Sequence, residues 1–336
     1  MNGGKVSIII VSYNGKKFLD KLFFSIRNQS YVNYEVICVD NASRDGSVEY
    51  LRHNFPEVQV IEWQNFGYGR ACNHGVQSAT GEYVMFLNED MHIPVDFVEN
   101  LVATYERTKQ SDPQIGVLAC NEDHYDTTKR YNVFPGKIDW FGYTAANFAK
   151  SRKGAFVPGC PFFITRRLFL EAGGFCPNIF LYGDDIDLSW RLIIMGKNNY
   201  TEPEICLYHY AGASMEGFPP KKIYYLMYGS TIGVFNNYSL GWLLIFLPLN
   251  LLFNLLVINF GLLIFARFNL KYNYQAFKAT TDFLVRIPRL LPFRRQAQKL
   301  RRVGDWQFIK QHMIWQSSFF INQSHKRLVS YVKKHD

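Results

Sequence analysis

The chain has 336 residues, 48% of them hydrophobic, and a formal net charge of +9. That length accommodates one large α/β domain plus an appendage, because single hydrophobic cores stop growing at roughly 250–300 residues. The charge is uneven: from Arg267 onward 15 Lys and Arg face 3 acids, whereas residues 1–266 carry 22 bases and 25 acids, so an anionic partner is implied for the tail alone.

Six cysteines are scattered singly. No Cys-x-x-Cys pair is present, which argues against both a disulfide framework and a sulfur-bound metal and fits a reducing cytoplasm. The sequence Met1-Asn2-Gly3-Gly4-Lys5 runs straight into a strand pattern without an apolar leader, so the chain is expected to stay inside the cell. No nucleic-acid motif and no internal repeat is evident.

The β-branched run 6–11 predicts a strand buried on both faces, as parallel sheets require. A helical pattern follows at 16–29, then a strand at 34–39, a helix at 47–55, a strand at 58–61 and a helix at 68–79. The strand 83–87 runs into Asn88-Glu89-Asp90, and a helix is expected over 95–109. Strands alternating with helices predict a sheet with right-handed crossovers. Ligands of such sheets bind beyond the carboxyl ends of the strands, which selects residues 12–14, Asp40-Asn41 and Asn88 to Asp90.

After residues 115–120 the pattern loosens over 121–154, which reads as a lid or acceptor-side segment. Further elements are expected at 162–164, 166–172, 184–195 and 205–210. Residues 240–266 are apolar apart from Asn250, Asn254 and Asn259 and are long enough to reach across a bilayer. A single crossing would place the basic tail opposite the catalytic domain, against the positive-inside rule. Pro248 and the three asparagines point instead to a broken, re-entrant or interfacial helix with both flanks in the cytoplasm. Arg294, Arg295, Arg301 and Arg302 beside it fit anionic headgroups. The expected division is a catalytic domain over 1–235 and a membrane-associated helix or hairpin with a basic helical tail over 236–336.

Carboxylates at a strand end can reach a hard divalent cation such as Mg²⁺ or Mn²⁺, which prefers oxygen ligands and shares them with phosphates. Asn88-Glu89-Asp90 and Asp40 have that placement, and Asp184-Asp185-x-Asp187 opens a predicted helix. Asp184 reads either as a helix-capping group or as a functional one. A helix N-terminus lowers a carboxyl pKa and neighbouring acids raise it, so the sign of the shift stays open. His209 reads either as a metal ligand or as a core histidine.

Residues 6–14, 39–47, 65–67, 73–75, 81–83, 87–90, 173–175 and 182–191, with His209 and residues 212–214, resemble in this order the family 2 glycosyltransferases, in particular the bacterial rhamnosyltransferase-like branch. The resemblance covers about residues 5–215. It implies a GT-A fold, Rossmann-like and nucleotide-sugar-binding, with a divalent metal. Carried over position by position, Tyr13 would border the base and Asp40 would hydrogen-bond it. Asp90 would bind the metal, helped by His209, and Asn88 stands where many relatives have the first Asp of Asp-x-Asp. Asp185 would be the general base, with Asp184 beside it where relatives commonly have Glu. Asn65, Gly67 and Arg191 complete the implied substrate-binding set.

The resemblance further implies an inverting, metal-dependent transfer of one sugar. The donor would be a nucleotide-diphosphate sugar, dTDP-rhamnose among the candidates, and the acceptor a lipid-linked glycan at the cytoplasmic face of the membrane. A polyprenyl-phosphate sugar synthase and a non-catalytic nucleotide-sugar-binding scaffold are the alternatives. The Gln-x-x-Arg-Trp motif of processive synthases is not matched, since Gln298-Lys299-Leu300-Arg301-Arg302 lacks the Trp.

Overall fold

The computed structural model describes residues 3–124, 130–131, 136–145, 152–157, 160–210, 219–266 and 268–314. The first run forms β1 (Val6–Ser12), buried at every position. Its side chains alternate between two cores, as strand geometry requires. Ile8 and Ile10 join the cluster with Leu22 and Leu101, whereas Ile9 and Val11 join Cys72, Val76 and Leu192 on the opposite face.

Then come α1 (Lys16–Arg27), β2 (Tyr34–Asp40), α2 (Ser47–Asn54), β3 (Gln59–Glu62), α3 (Tyr68–Ser78), β4 (Tyr83–Asn88), β5 (Met91–His92), α4 (Phe97–Ser111) and β6 (Ile115–His124). Short strands β7 (Arg130–Tyr131), β8 (Lys137–Asp139), β9 (Thr144–Ala145) and β10 (Lys153–Gly154) lead to β11 (Phe162–Thr165), α5 (Arg166–Glu171), α6 (Asp184–Ile194) and β12 (Asn198–His209). The main sheet runs β10-β12-β6-β11-β4-β1-β2-β3. β2 and β4 flank β1 in parallel, so the chain switches direction of winding at β1, and a crevice opens beyond its end.

The α/β alternation expected from the sequence is present, with boundaries shifted by a few residues. The late strand is longer than expected, twelve residues rather than the last few. Of the loosened stretch 121–154, the described part 136–145 supplies β8 and β9, which form a separate small sheet with β13 (Met313–Ile314). Gly212 to Ser214 lie outside the described residues.

The element without a sequence signal is α7 (Pro220–Asn237). Pro220 presets the first turn. Apolar or small residues surround the rest, and most of α7 is buried, which leaves no polar face for periodicity to reveal. The expected domain boundary at 235/236 falls within its last turn.

Next, α8 (Leu240–Leu252), a π-helical turn (Phe253–Ile258) and α9 (Asn259–Phe265) form one continuous helical run, followed by α10 (Leu270–Lys299) and α11 (Asp305–His312). The break expected at Pro248 and the asparagines does not occur. The asparagines point inward, where the amides satisfy one another and the protein. Asn250 donates to Phe141 O and accepts from Thr231 Oγ1, both at 2.9 Å. Asn254 accepts from the Tyr143 hydroxyl at 2.9 Å, and Asn259 donates to Asn254 O at 2.9 Å. The outward side, including Leu240, Leu244, Ile245, Leu252 and Phe260, is exposed. Among the described residues this 25-residue helix, Leu240–Ile264, is the one long and apolar enough to cross a membrane.

Side chains of α10 and the residues after it complete the C-terminus of α7. Helices leave their last carbonyls unpaired and negatively polarised. Arg294 donates to Phe235 O and, at 2.8 Å, to Tyr238 O. Gln298 donates to Asn236 O at 2.6 Å, and Arg301 donates to Asn237 O. Arg294 is 7% exposed, so this arginine, with Arg301, serves the protein interior rather than the headgroups expected for it.

Removing Arg294 leaves buried carbonyls without a charged donor, a loss of about 2 kcal/mol. Arg294→Ala should lower unfolding stability in detergent by that order. Arg295→Ala, on the exposed side of the same turn, should stay within about 0.5 kcal/mol of the parent. Equal midpoints for the two variants would show that the cap contributes nothing.

Candidate active site

The ends of β1, β2 and β4 lie level, with Ser12 beside Asp40 and Val11 beside Asn88. Beyond them a cavity of about 720 Å³ is bounded by the loop before α6 and the start of α7. Of the residues selected from the sequence, Tyr13, Asn65, Gly67, Asn88, Asp90, Asp184, Asp185 and His209 line it. Asp40 and Arg191 do not.

Asp90 follows β4 and His209 closes β12, 119 residues later in the chain. The two are joined because β5, next to Asp90, pairs antiparallel with the end of β12, His209 against Met91. His209 Nε2 stands 3.0 Å from Asp90 Oδ1, and its Nδ1 stands 2.5 Å from Glu122 Oε1 at the end of β6. Burial lowers the imidazole pKa, but hydrogen bonds with Asp90 and Glu122 outweigh burial and push it up to about 10.

This pair suits a divalent cation. Asp90 and His209 would each offer one donor atom to such an ion once the imidazole gives up the proton it shares with Asp90, since only neutral imidazole ligates a metal. Glu122 accepts on the far nitrogen, the partner that orients metal-binding histidines. Among the described residues no three His, Cys, Asp or Glu side chains form a complete cage. Mg²⁺-type sites commonly use one or two protein ligands and take the rest from substrate phosphates and water.

Glu89, between Asn88 and Asp90, lines the cavity too, but its carboxylate is engaged within the protein. Its carboxylate accepts from Tyr13 N at 2.6 Å, tying the end of β4 to the loop after β1. Burial raises its pKa to about 7. Tyr13, thus held by its backbone, leaves its ring 46% exposed at the cavity edge. Asn88 Oδ1 lies 3.1 Å from the thiol of Cys160, which also meets the Tyr68 hydroxyl at 3.2 Å.

Asp40 is 3% exposed, and its Oδ2 accepts from Ser43 N at 2.9 Å. Its other oxygen is buried without a hydrogen-bond partner. The neighbour Asn41 lines the cavity instead and donates to Asn65 Oδ1 at 3.1 Å. Asn65 also accepts from Gly67 N. Gly67 has φ +99°, and a Cβ there would stand 2.3 Å from Phe180 O, so only glycine fits. Tyr68 N donates to the same carbonyl at 3.0 Å. The first backbone donor of α3 is therefore engaged within the protein.

The strained turn before α6 sets the remaining acids. Tyr182 and Gly183 both have positive φ, and Gly229 of α7 lets this turn approach closely, since a Cβ at Gly229 would lie 2.2 Å from Tyr182 O. Asp184 is buried, and burial together with the Asp185 charge raises its pKa to about 7. Asp185 is half-buried and faces the cavity, with one oxygen accepting from Ile186 N at 2.8 Å. Arg191 sits in the interior, fully buried, donating to Ala172 O and Gly174 O at 2.6 Å and pairing with Asp187.

Asn41, selected with Asp40 as a strand end, lines the cavity, and so do Glu122, Cys160, Lys221 and Lys222, which were not selected from the sequence. Glu122 had a usable signal, a carboxylate in the polar stretch that follows an apolar strand run. The lysines had none, because α7 itself was unsuspected.

The profile described as "Glycosyl transferase family 2" matches residues 7–173, about half of the chain. A Methanococcus voltae protein, "Dolichyl N-acetyl-alpha-D-glucosaminyl phosphate 3-beta-D-2,3-diacetamido-2,3-dideoxy-beta-D-glucuronosyltransferase", is 24% identical over 77% of this chain and 83% of its own length. The next two curated relatives are matched over 34% and 14% of their lengths, so their whole-protein activities do not carry over. Among solved structures, the mannosyltransferase PcManGT from Pyrobaculum calidifontis, in complex with GDP-Man and Mn²⁺, aligns with TM-score 0.57 at 17% identity over 99% of this chain and 87% of that one. Staphylococcus aureus TarS 1-349 in complex with UDP aligns with TM-score 0.56 at 14% identity over 99% and 92%. At these identities the structural likenesses establish the GT-A fold alone, and the profile match places the chain in glycosyltransferase family 2.

Proposed function

We propose that this chain is an inverting glycosyltransferase that moves one sugar from a nucleotide-diphosphate sugar to a hydroxyl of a lipid-linked glycan at the cytoplasmic face of a membrane. The donor to test first is dTDP-rhamnose. The observation that carries the reading is that Asp185 shares one cavity with the Asp90–His209 pair. The exposed side of Leu240–Ile264 and the acceptor named for the Methanococcus voltae relative support the membrane-linked acceptor.

Asp185 would accept the proton of the acceptor hydroxyl as its oxygen attacks the anomeric carbon. The bond from that carbon to the diphosphate oxygen breaks, the nucleoside diphosphate leaves with the bonding pair, and attack from the opposite face inverts the centre. A divalent cation held by Asp90 and His209 would supply positive charge to the diphosphate. Asp184, buried behind Asp185 with a raised pKa, would keep local negative charge low enough for Asp185 to stay ionised. Tyr13 would border the nucleotide base, with Asp40, Asn65 and Gly67 shaping that end of the cavity.

Nucleoside diphosphate release, followed across several donors with a lipid-linked saccharide and Mn²⁺, tests the reading. No release by any donor, in protein shown to be folded, would sink it. Asp185→Asn should reduce kcat by about a thousandfold while nucleoside diphosphate binding persists; unchanged turnover would remove Asp185 from the role of base. Asp90→Ala should abolish stimulation by Mn²⁺, and a variant still stimulated as the parent is would locate the cation elsewhere. Gly229→Ala should displace the turn carrying Asp184 and Asp185 and lower kcat by about tenfold or more, with donor KM nearly unchanged. A matching rise in donor KM would show that the turn serves binding instead.

A further inference from the structure

A second concave surface lies between the start of α7 and the start of α10. It encloses about 540 Å³ and is lined by Pro219, Pro220, Lys221, Leu270, Lys271 and Tyr274, among others. Lys221 lines this groove and the active-site cavity alike, and its ammonium stands 5.6 Å from the ring centre of Tyr225, which lines that cavity. No function assigned so far uses the groove.

Its chemistry is divided. Lys221 and Lys271 are exposed and make no ion pair among the described residues. Leu270 and Tyr274 are 67% and 62% exposed, an unusual amount of large apolar surface to leave in water. Phe277, one turn further along α10, is 56% exposed and extends the same stripe, since positions four and seven residues on share a helix face. The stripe begins a few residues after the exposed apolar helix Leu240–Ile264. Two exposed lysines beside a stripe of exposed apolar side chains match an amphiphile with a small anionic head and a hydrocarbon chain.

We infer that this groove binds the phosphate or diphosphate head and first isoprene units of the lipid-linked acceptor, delivering its sugar to the active-site cavity past Lys221. The inference rests on the proposed lipid-linked acceptor. Lysine is suited to a phosphate as a mobile point charge. Tyr274 and Leu270 supply the apolar wall along which an isoprene chain leaves toward the bilayer. Contiguity with the active-site cavity separates this occupant from bulk membrane headgroups, which have no need of a passage to that cavity.

Binding of farnesyl diphosphate to the full chain in detergent micelles tests the inference, with EDTA present to suppress cation-bridged binding in the active-site cavity. Lys271→Glu and Tyr274→Ala, neither of which lines that cavity, should each weaken binding by about tenfold. Nucleoside diphosphate binding in Mn²⁺ should be unchanged in both, which also shows that they fold. Inorganic diphosphate alone should bind more weakly than farnesyl diphosphate. Unchanged farnesyl diphosphate affinity in both variants overturns the groove, as does an equal loss of affinity for phosphatidylglycerol vesicles. Transfer assays keep the two readings apart: a parent enzyme that glycosylates a lipid-linked saccharide while both variants keep its KM refutes the groove alone. A folded parent that glycosylates water-soluble saccharides and no lipid-linked one refutes the acceptor reading.

Discussion

Asp187 carries no exposed surface, and its carboxylate joins elements that lie far apart in the chain. One oxygen accepts from the amides of Asn236 and Asn237 at the end of α7, both at 3.0 Å. The other pairs with Arg191, whose guanidinium reaches back to the carbonyls of Ala172 and Gly174. A buried charge of this kind is tolerated only when its partners are in place, and removal of one partner typically costs several kcal/mol. The helix that opens with Asp184 and Asp185 is therefore fixed to α7 through Asp187 of its first turn and to the Gly173-Gly174 bend through Arg191. Reach and orientation of Asp185 follow from that attachment together with the turn packed against Gly229.

The attachment makes the site depend on the C-terminal third of the molecule. The last carbonyls of α7 are capped by Arg294, Gln298 and Arg301, and Trp190 of α6 stacks on Phe308 of α11 with ring centres 4.9 Å apart. These contacts run through one continuous core from α6 through α7 to α10. The apolar helix is part of this body too, because Asn250 and Asn254 bond to Thr231 of α7 and to the segment around Phe141 and Tyr143. A membrane that held the outward side of that helix would also hold the active-site cavity at a set height above the lipid surface, which is a requirement for transfer to an acceptor that cannot leave the bilayer.

Legibility in the sequence followed the strength of local signals. β1 to β4 and their helices were readable because a two-sided sheet needs unbroken apolar strands, and the acids beyond their ends were readable because the crevice of such a sheet has a fixed place. The approach of His209 to Asp90 depends on β5 pairing with the far end of β12, a contact across 119 residues that no periodicity encodes. Glu122 could be marked as a carboxylate after an apolar run, but its place on the far side of His209 became visible only with that pairing. α7 was hidden because burial on all sides removes the amphipathic pattern. Arg191 was placed in the substrate set by its motif alone, yet the same spacing that puts it in the motif puts it one helical turn from Asp187, where it is a structural partner.

The basic tail shows the same limit in electrostatic terms. Counting charge along the chain assigns every Lys and Arg after residue 266 to one surface, but a guanidinium that finds several carbonyls can be buried at a helix C-terminus, where the dipole favours it. Arg294 and Arg301 are used in that way, and Asp305 adds an acid beside Arg301 at 3.4 Å. Those side chains are withdrawn from any lipid headgroup, whereas among the described residues Arg286, Arg289, Arg295, Lys299 and Arg302 stay exposed along the second half of α10 and just beyond it. Headgroup attraction, which accumulates at about 1 kcal/mol per cation near the surface, would fall to that exposed set rather than to every Lys and Arg in the count.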